Sequence, residues 1–301
     1  MLKIYMLLLF VMLMWGFNVS AIKVLVNSID PILLTSFRVF TAGMMVLMIC
    51  YVMGIFRIPY KHEWLTIFYI AIFNVILHHS FVAIGLEMTS GINGGLILGM
   101  MPLVTVLMAF IVLRERISLL RTVGFILGFT GVVITTLAGA SGLAAVSSGD
   151  VFVFLGVVVQ GFSFMLISKL KPTFDPRLAT GYMLVLGSIM IFLLSQLFGA
   201  RILEMSNLFD WKLLAVFLFS AIFATAFGHM TYNYAIKKVG PVESAIFINL
   251  NTLFAVTGAS IFLNESIKVN HVMGFLFILC GVFIGTGALE QLVRNRKRET
   301  E

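Results

Sequence analysis

Several polar side chains lie near the middle of long apolar runs, where they could contact a polar solute. Trp15 and Asn18 occupy the first run, and Gln160 and Ser163 occupy the same places 145 positions later. Polar groups inside an apolar segment are costly, so they tend either to face a polar cavity or to hydrogen-bond to a neighbouring helix. Both interpretations, solute binding and interhelical hydrogen bonding, stay open for these four residues.

Histidines occur in two further runs at a spacing of 150 positions. His79 lies in the third run, and His229 lies in the eighth run close to Tyr232, while Asn249 lies in the ninth. An unperturbed imidazole titrates at about pH 6.5. If passage of a solute is coupled to protons, His79 and His229 are therefore the candidate carriers; passage without any coupling ion is the alternative.

Arg38 is the one basic residue well inside an apolar run. It lies five residues from the outer end of the second run, which places it ~8 Å deep in a helix. Lys23, at the outer end of the first run, could share its surroundings. Arg38 could attract a carboxylate during passage, or both side chains could extend their charged ends to the surface.

Other kinds of chemistry lack the residues they need. All 13 acidic residues lie in loops or close to helix ends, so a proton-coupled pump for small cationic drugs is disfavoured. Neither Gly-x-Ser-x-Gly nor His-Glu-x-x-His occurs, so we expect no enzyme and no catalytic residue. Cys50 and Cys280 cannot hold a metal alone, and we expect neither a metal nor a cofactor.

The elements that position these residues are apolar helices. The chain is 60% hydrophobic and only 11% charged, whereas soluble domains carry about 25% charged residues. A membrane helix needs about 20 apolar residues. The sequence therefore predicts an all-α membrane protein of ten transmembrane helices, at residues 4–26, 33–54, 64–86, 91–113, 119–138, 149–168, 177–199, 211–236, 243–263 and 269–290.

The distribution of basic residues predicts the orientation. With the N-terminus in the cytoplasm, 15 of the 20 Lys and Arg residues fall in inner segments, and only Lys23, Arg201, Lys212 and Lys268 fall outside. Inner loops are normally enriched in Lys and Arg. We therefore predict that both termini are cytoplasmic, in a multi-pass protein of the inner or plasma membrane. The first run is too long for a secretory signal peptide.

The chain contains an internal repeat at a spacing of 150 positions. The segment from Leu103 to Ile134 matches Leu253 to Ile284, with identical residues that include Ala109/Ala259, Leu113/Leu263, Glu115/Glu265, Ile117/Ile267, Gly124/Gly274 and Gly131/Gly281. Five spans per half make the second half inverted. The predicted units are a five-helix repeat at 1–138, an inverted repeat at 149–290 and a basic cytoplasmic tail at 291–301. We expect Glu115 and Glu265 to order the turns that follow them.

Glycines mark one helix as a candidate moving part. The fourth run carries Gly91, Gly95 and Gly99 at four-residue spacing, followed by Pro102. Glycines on one face allow close backbone approach, and proline bends a helix. Static packing and a bending helix that lines a cavity are both consistent with this pattern.

These fragments, in this order, resemble the EamA branch of the drug/metabolite transporter superfamily over essentially the whole chain. The first half carries Trp15-Gly16-Phe17-Asn18, Ser36-Phe37-Arg38, Met101-Pro102-Leu103 and Leu113-Arg114-Glu115; the second carries Asn233-Tyr234-Ala235 and Leu263-Asn264-Glu265. The chain departs from the family at Asn251-Thr252, where members often have proline. The resemblance, which extends to exporters of the YddG type, implies ten-helix carriers of small metabolites, amino acids among them.

Together these observations predict a secondary transporter. Inverted repeats around a midplane site are typical of such proteins, because the two halves can exchange conformations. We predict export of amino acids or related neutral or zwitterionic metabolites, with a small-molecule substrate and the lipid bilayer as partners, and no nucleic acid. The alternatives are a carrier of phosphorylated sugars or nucleotide sugars, which would want several buried basic residues, and a multidrug exporter. A sensor or scaffold would normally carry an additional soluble domain.

Overall fold

The computed structural model describes residues 2–113, 118–137 and 147–285, and this part of the chain is helical without strands. The helices are α1 (Leu2–Val26), α2 (Pro31–Val52), α3 (Lys61–Met88), α4 (Gly91–Leu98 and Met101–Leu113), α5 (Leu119–Leu137), α6 (Ser148–Ser168), α7 (Pro176–Leu197), α8 (Trp211–Val239), α9 (Pro241–Ile246 and Ile248–Phe262) and α10 (Val269–Gly285). A 3-10 turn at Ile202–Phe209 joins α7 to α8.

Eight of these helices are long and apolar enough to cross a membrane, and α5 and α10 form two shorter apolar helices. Every predicted span overlaps one of them. The predicted basic tail at 291–301 and residues 114–117, which include Glu115, lie outside the described residues.

Two helices begin with the same local signal. Asp30 precedes Pro31 at the start of α2 and accepts hydrogen bonds from the next backbone amides, and Asp175 precedes Pro176 at the start of α7 in the same way. Proline fits a first helical turn because its missing amide would have no helical partner there. Partial burial would raise the pKa of the Asp175 carboxyl, but hydrogen bonds from Arg177 outweigh that effect and lower the pKa below its usual value.

The long helices α3 and α8 each contain a π-helical segment halfway along. The segments are Ala71–Leu77 in α3 and Phe219–Phe227 in α8, and they end just before His79 and His229, which are 150 positions apart. π-helical turns are rare and occur often at functional sites. The two halves therefore share a π-helical segment at the same place as well as a sequence pattern.

Helices at corresponding places in the two halves pack antiparallel against each other. In the α5–α10 pair, a Cβ on Gly131 would lie 2.6 Å from the Gly274 oxygen, and one on Gly281 would lie 2.7 Å from the Gly124 oxygen. The pair α2–α7 is also antiparallel, since Gly43 meets Val185 while Gly181 meets Leu47. Each of these helices contacts its own repeat counterpart.

The predicted glycine face of α4 packs against α9. Gly91, Gly95 and Gly99 approach Ala259, Ala255 and Thr252, in that order. The helix is interrupted at Gly99 and Met100, directly before Pro102. Its counterpart α9 is interrupted at Phe247 although it has no proline there.

Glu265 does not act as we expected from the repeat. Its carboxylate accepts hydrogen bonds from the backbone amides of Gly91 (2.7 Å) and Ile92 (2.9 Å). It therefore caps the first turn of α4, where the positive end of the helix dipole favours an anion, and ties the end of α9 to that turn.

Candidate functional site

A cavity of about 80 Å³ lies between α1, α3, α4, α6, α8 and α9. Small-molecule sites usually have volumes of about 300–1,000 Å³, so this cavity must enlarge to hold a solute. Residues from all six helices line it: Trp15, Asn18, Val19, Ile22, His78, His79, Val82, Leu86, Leu98, Met101, Gln160, Phe164, Ala224, Thr225, His229, Ile248 and Asn251.

Polar atoms of the cavity wall lack protein partners. They are Asn18 Oδ1, His79 Nε2, Gln160 Oε1, His229 Nδ1 and Asn251 Oδ1, each buried and without a hydrogen bond in the described part of the chain. A buried polar atom without a partner costs about 1–3 kcal/mol. These atoms can be satisfied by a polar molecule inside the cavity, and they converge on it from five helices.

The wall follows the internal repeat. At a spacing of 150 positions, His79 and His229, Leu98 and Ile248, and Met101 and Asn251 are pairs that both line the cavity. At a spacing of 145, the same holds for Trp15 with Gln160 and Val19 with Phe164. The cavity therefore lies between the two repeats and takes equivalent positions from each.

Trp15 lines the cavity and links α1 to α8. Its indole nitrogen donates to the Ala224 carbonyl at 2.8 Å, a group in the π-helical segment. Gly228 makes room for the ring, because a Cβ there would lie 2.4 Å from the indole nitrogen. The ring also packs on His229 and Tyr232, with centroid separations of 5.1 and 4.9 Å.

Arg38 is fully enclosed by protein. Only 1% of its surface is exposed, so the interpretation that it extends to the membrane surface was wrong; packing of α8 and α7 against α2 covers it. Its Nη1 donates to the Thr225 hydroxyl at 2.7 Å. Lys23, by contrast, is partly exposed and donates to the Glu87 carbonyl at 3.0 Å.

The adjacent histidines of α3, His78 and His79, make different contacts. His78 Nδ1 lies 2.9 Å from the Gly156 carbonyl of α6, so this ring joins two helices. His79 faces α8, where its ring centroid lies 5.0 Å from that of His229.

Four residues predicted to bind a solute are absent from the wall. Ser163 is buried in hydrogen bonds with Asn74 and the Gln160 carbonyl, which matches the interhelical alternative. Tyr232 lies behind Trp15 and Phe164, Arg38 lies behind Thr225, and Asn249 donates to Ile246 of its own helix.

Three polar wall residues were missed by the sequence prediction: His78, Thr225 and Asn251. Asn251, rather than Asn249, reaches the cavity, and Thr225 joins it from the π-helical segment. The repeat could have indicated Asn251, because its counterpart Met101 flanks the predicted bend. No sequence signal marked Thr225.

Clusters of three or more His, Cys, Asp or Glu side chains that could hold a metal ion do not occur among the described residues. Near the cavity, the ionisable groups of the described chain are the three histidines, Arg38 and Tyr232. Acidic side chains lie toward helix ends, as with Glu63 and Asp150.

A bundle of apolar helices around a polar cavity defines a multi-pass membrane protein. Comparison with known sequences identifies the family: the EamA-like transporter family matches residues 2–137 and again residues 147–286. The chain belongs to this family and is a multi-pass protein of the cell membrane, which confirms the resemblance seen in the sequence.

Its relatives span nearly the whole chain. The uncharacterized transporter YyaM of Bacillus subtilis is 25% identical over 99% of this chain and 98% of its own length. An uncharacterized transporter of Archaeoglobus fulgidus is 26% identical over 90% and 94%. The crystal structure of another protein shows the same fold. It matches with a TM-score of 0.65 and 17% sequence identity, over 96% of this chain and 98% of the other chain. The chain is thus a membrane transporter of small molecules.

Proposed function

We propose that this protein is a secondary transporter that exports amino acids or related neutral or zwitterionic metabolites by alternating access around the cavity. The observation that carries the proposal is the set of unpartnered polar atoms of Asn18, Gln160, Asn251, His79 and His229 on a wall shared by both repeats. The direction of transport and the finer likeness to YddG-type exporters come from the family resemblance.

The proposed architecture is ten membrane spans in two inverted repeats, at residues 1–138 and 149–290, with both termini in the cytoplasm. The antiparallel packing of α5 on α10 and of α2 on α7 supports an inverted second repeat. The distribution of Lys and Arg supports the orientation. In such transporters the two halves rock around a fixed midplane site, and a cavity lined by both repeats supports this mechanism.

The proposed substrate class follows from the polarity of the wall. Amide and imidazole groups can hydrogen-bond to the amino and carboxylate groups of an amino acid, and the apolar lining residues can accept its side chain. A sugar phosphate would want several basic residues, and in the described chain only Arg38 is buried near the cavity.

The test is a counterflow assay in proteoliposomes with a panel of labelled amino acids, sugar phosphates and organic cations. We expect uptake of one or more amino acids. Because Asn18 and Gln160 supply unpartnered wall oxygens, Asn18→Ala and Gln160→Ala should each reduce this uptake at least tenfold, about 1.4 kcal/mol.

The matched control is Asn270→Ala, since Asn270 is exposed at the start of α10. This variant should transport like the unmodified protein. Full activity in both wall variants would contradict the site, and selective uptake of sugar phosphates or organic cations would contradict the substrate class.

A further inference from the structure

Arg38 is a buried side chain without an ionic partner in the described part of the chain. Its surface is 1% exposed, and its Nε has no hydrogen-bond acceptor among the described residues. The ion pairs in that part of the chain are Arg57 with Glu63 and Arg177 with Asp175. An isolated buried charge is strongly unfavourable, so Arg38 favours an anion in its vicinity.

Thr225 places that charge next to the cavity. Its hydroxyl accepts from Arg38 Nη1 at 2.7 Å and donates to the Ser220 carbonyl, also at 2.7 Å, within the π-helical segment of α8. Thr225 itself lines the cavity beside His229. One hydroxyl group therefore separates the guanidinium from the space where a solute would lie.

His79 and His229 are the paired titratable groups of the wall. Their ring centroids are 5.0 Å apart at an angle of 66°, and neither His79 Nε2 nor His229 Nδ1 has a hydrogen-bond partner among residues 2–113, 118–137 and 147–285. Around them lie His78, which is held by the Gly156 carbonyl, Tyr232 of α8 and Arg38 of α2.

Two imidazolium rings at this separation, close to Arg38, would repel each other strongly. Sites that interact this closely take up protons as a pair. At most one of the two rings therefore carries a positive charge while the cavity contains no anion. A bound carboxylate would favour protonation of the pair, because an adjacent negative charge stabilises the positively charged ring.

We propose that the cavity binds a carboxylate and a proton together, an inference that rests on the proposed transport function. The solute's carboxylate accepts a hydrogen bond from His229, with Arg38, behind Thr225, as its counter-charge. One proton from the aqueous side adds to an imidazole of the His79–His229 pair, and only an N–H bond is formed. Each cycle then moves one carboxylate-bearing solute and one proton in the same direction, so export is driven by the solute's own outward gradient.

The carboxylate is tested by comparing acids with their amides as competitors. For counterflow of labelled phenylalanine or leucine, we expect the unlabelled amino acid to compete at least tenfold more strongly than phenylalaninamide or leucinamide. Arg38→Gln should abolish this preference, and Arg38→Lys should retain part of it. Equal competition by acid and amide in the unmodified protein would overturn the proposal, whether or not Arg38→Gln folds.

The proton is tested with a pH gradient in the same proteoliposomes. An acidic exterior should accelerate uptake of the labelled amino acid at least threefold in the unmodified protein. In the double variant His79→Gln/His229→Gln, the ratio of uptake with the gradient to uptake without it should fall to about one, whereas Asn270→Ala should keep the full acceleration. Uptake by the unmodified protein that ignores the gradient would overturn the proposal but leave the transport function standing. Absence of counterflow for every amino acid would instead overturn the transport function.

Discussion

At the scale of single residues, Trp15 links α1 to the irregular part of α8. Its indole nitrogen donates to the Ala224 carbonyl at 2.8 Å, and Gly228 leaves the space that the ring fills. The ring is also a wall of the cavity. A change at Gly228, which is not in the wall, should therefore alter solute binding through the position of this indole.

We predict that Gly228→Ala raises the KM for counterflow about tenfold. The new methyl group would displace the indole, with overpacking of about 1–3 kcal/mol and loss of an interhelical hydrogen bond worth about 1 kcal/mol. The concentration dependence of counterflow measures the change.

Trp15→Phe provides the control for this mechanism, because phenylalanine lacks the atom that the methyl group would meet. In the Trp15→Phe background, Gly228→Ala should raise KM by a smaller factor. Equal factors in the two backgrounds would mean that the two residues act independently, against this account.

The sequence allowed prediction of the wall residues that the repeat marks, and fewer of the others. Asn18, His79, Gln160 and His229 were found because they are polar and recur at fixed spacing. Thr225 could not be found, because its direction depends on a π-helical segment that composition does not reveal. The enclosure of Arg38 could not be predicted either, since depth along one helix does not show which helices cover it.

At the scale of helices, α5 and α10 cross with their backbones in close contact. A Cβ on Gly281 would lie 2.4 Å from the backbone nitrogen of Gly128, and one on Gly124 would lie 2.3 Å from that of Gly285. Backbone atoms cannot move aside as a side chain can. Glycine at these places therefore allows van der Waals packing that any larger residue would prevent.

We predict that Gly281→Ala lowers stability by about 1–3 kcal/mol through separation of the two helices. Thermal unfolding of the purified protein in detergent measures this. Cys280→Ala is the matched control, since Cys280 is the preceding residue and faces outward from the bundle; it should shift stability by less than about 0.5 kcal/mol. Equal effects of the two substitutions would contradict tight backbone packing at this crossing.

The positions of the helices were predictable, and Pro102 indicated the interruption of α4, but the other interruptions had no sequence signal. Apolar runs of about 20 residues predicted α2 and α7, and the Asp-Pro pairs that precede these helices stabilise their first turns. The interruption of α9 at Phe247 and the π-helical segments of α3 and α8 involve only a local change of hydrogen-bond register. Tertiary packing decides such changes, and the residues concerned are ordinary helix residues.

At the scale of the whole molecule, the central claim is that both repeats enclose one solute cavity that opens to each side in turn. Val82 is suited to report on it, because it lines the cavity and is only 6% exposed. Val153 of α6 is a comparably buried valine with no exposed surface. It packs against Gly85 and is not part of the cavity wall. Cysteine is close to valine in size, so both positions should accept it.

The most direct measurement is therefore maleimide labelling of Val82→Cys in proteoliposomes, in a Cys50→Ala/Cys280→Ala background, with Val153→Cys as the control. A membrane-impermeant maleimide should modify position 82 when it is added outside and also when it is trapped inside, and a transported amino acid should slow both reactions. Position 153 should react from neither side. Labelling of position 82 from one side only, or at a rate that the amino acid does not change, would contradict the account.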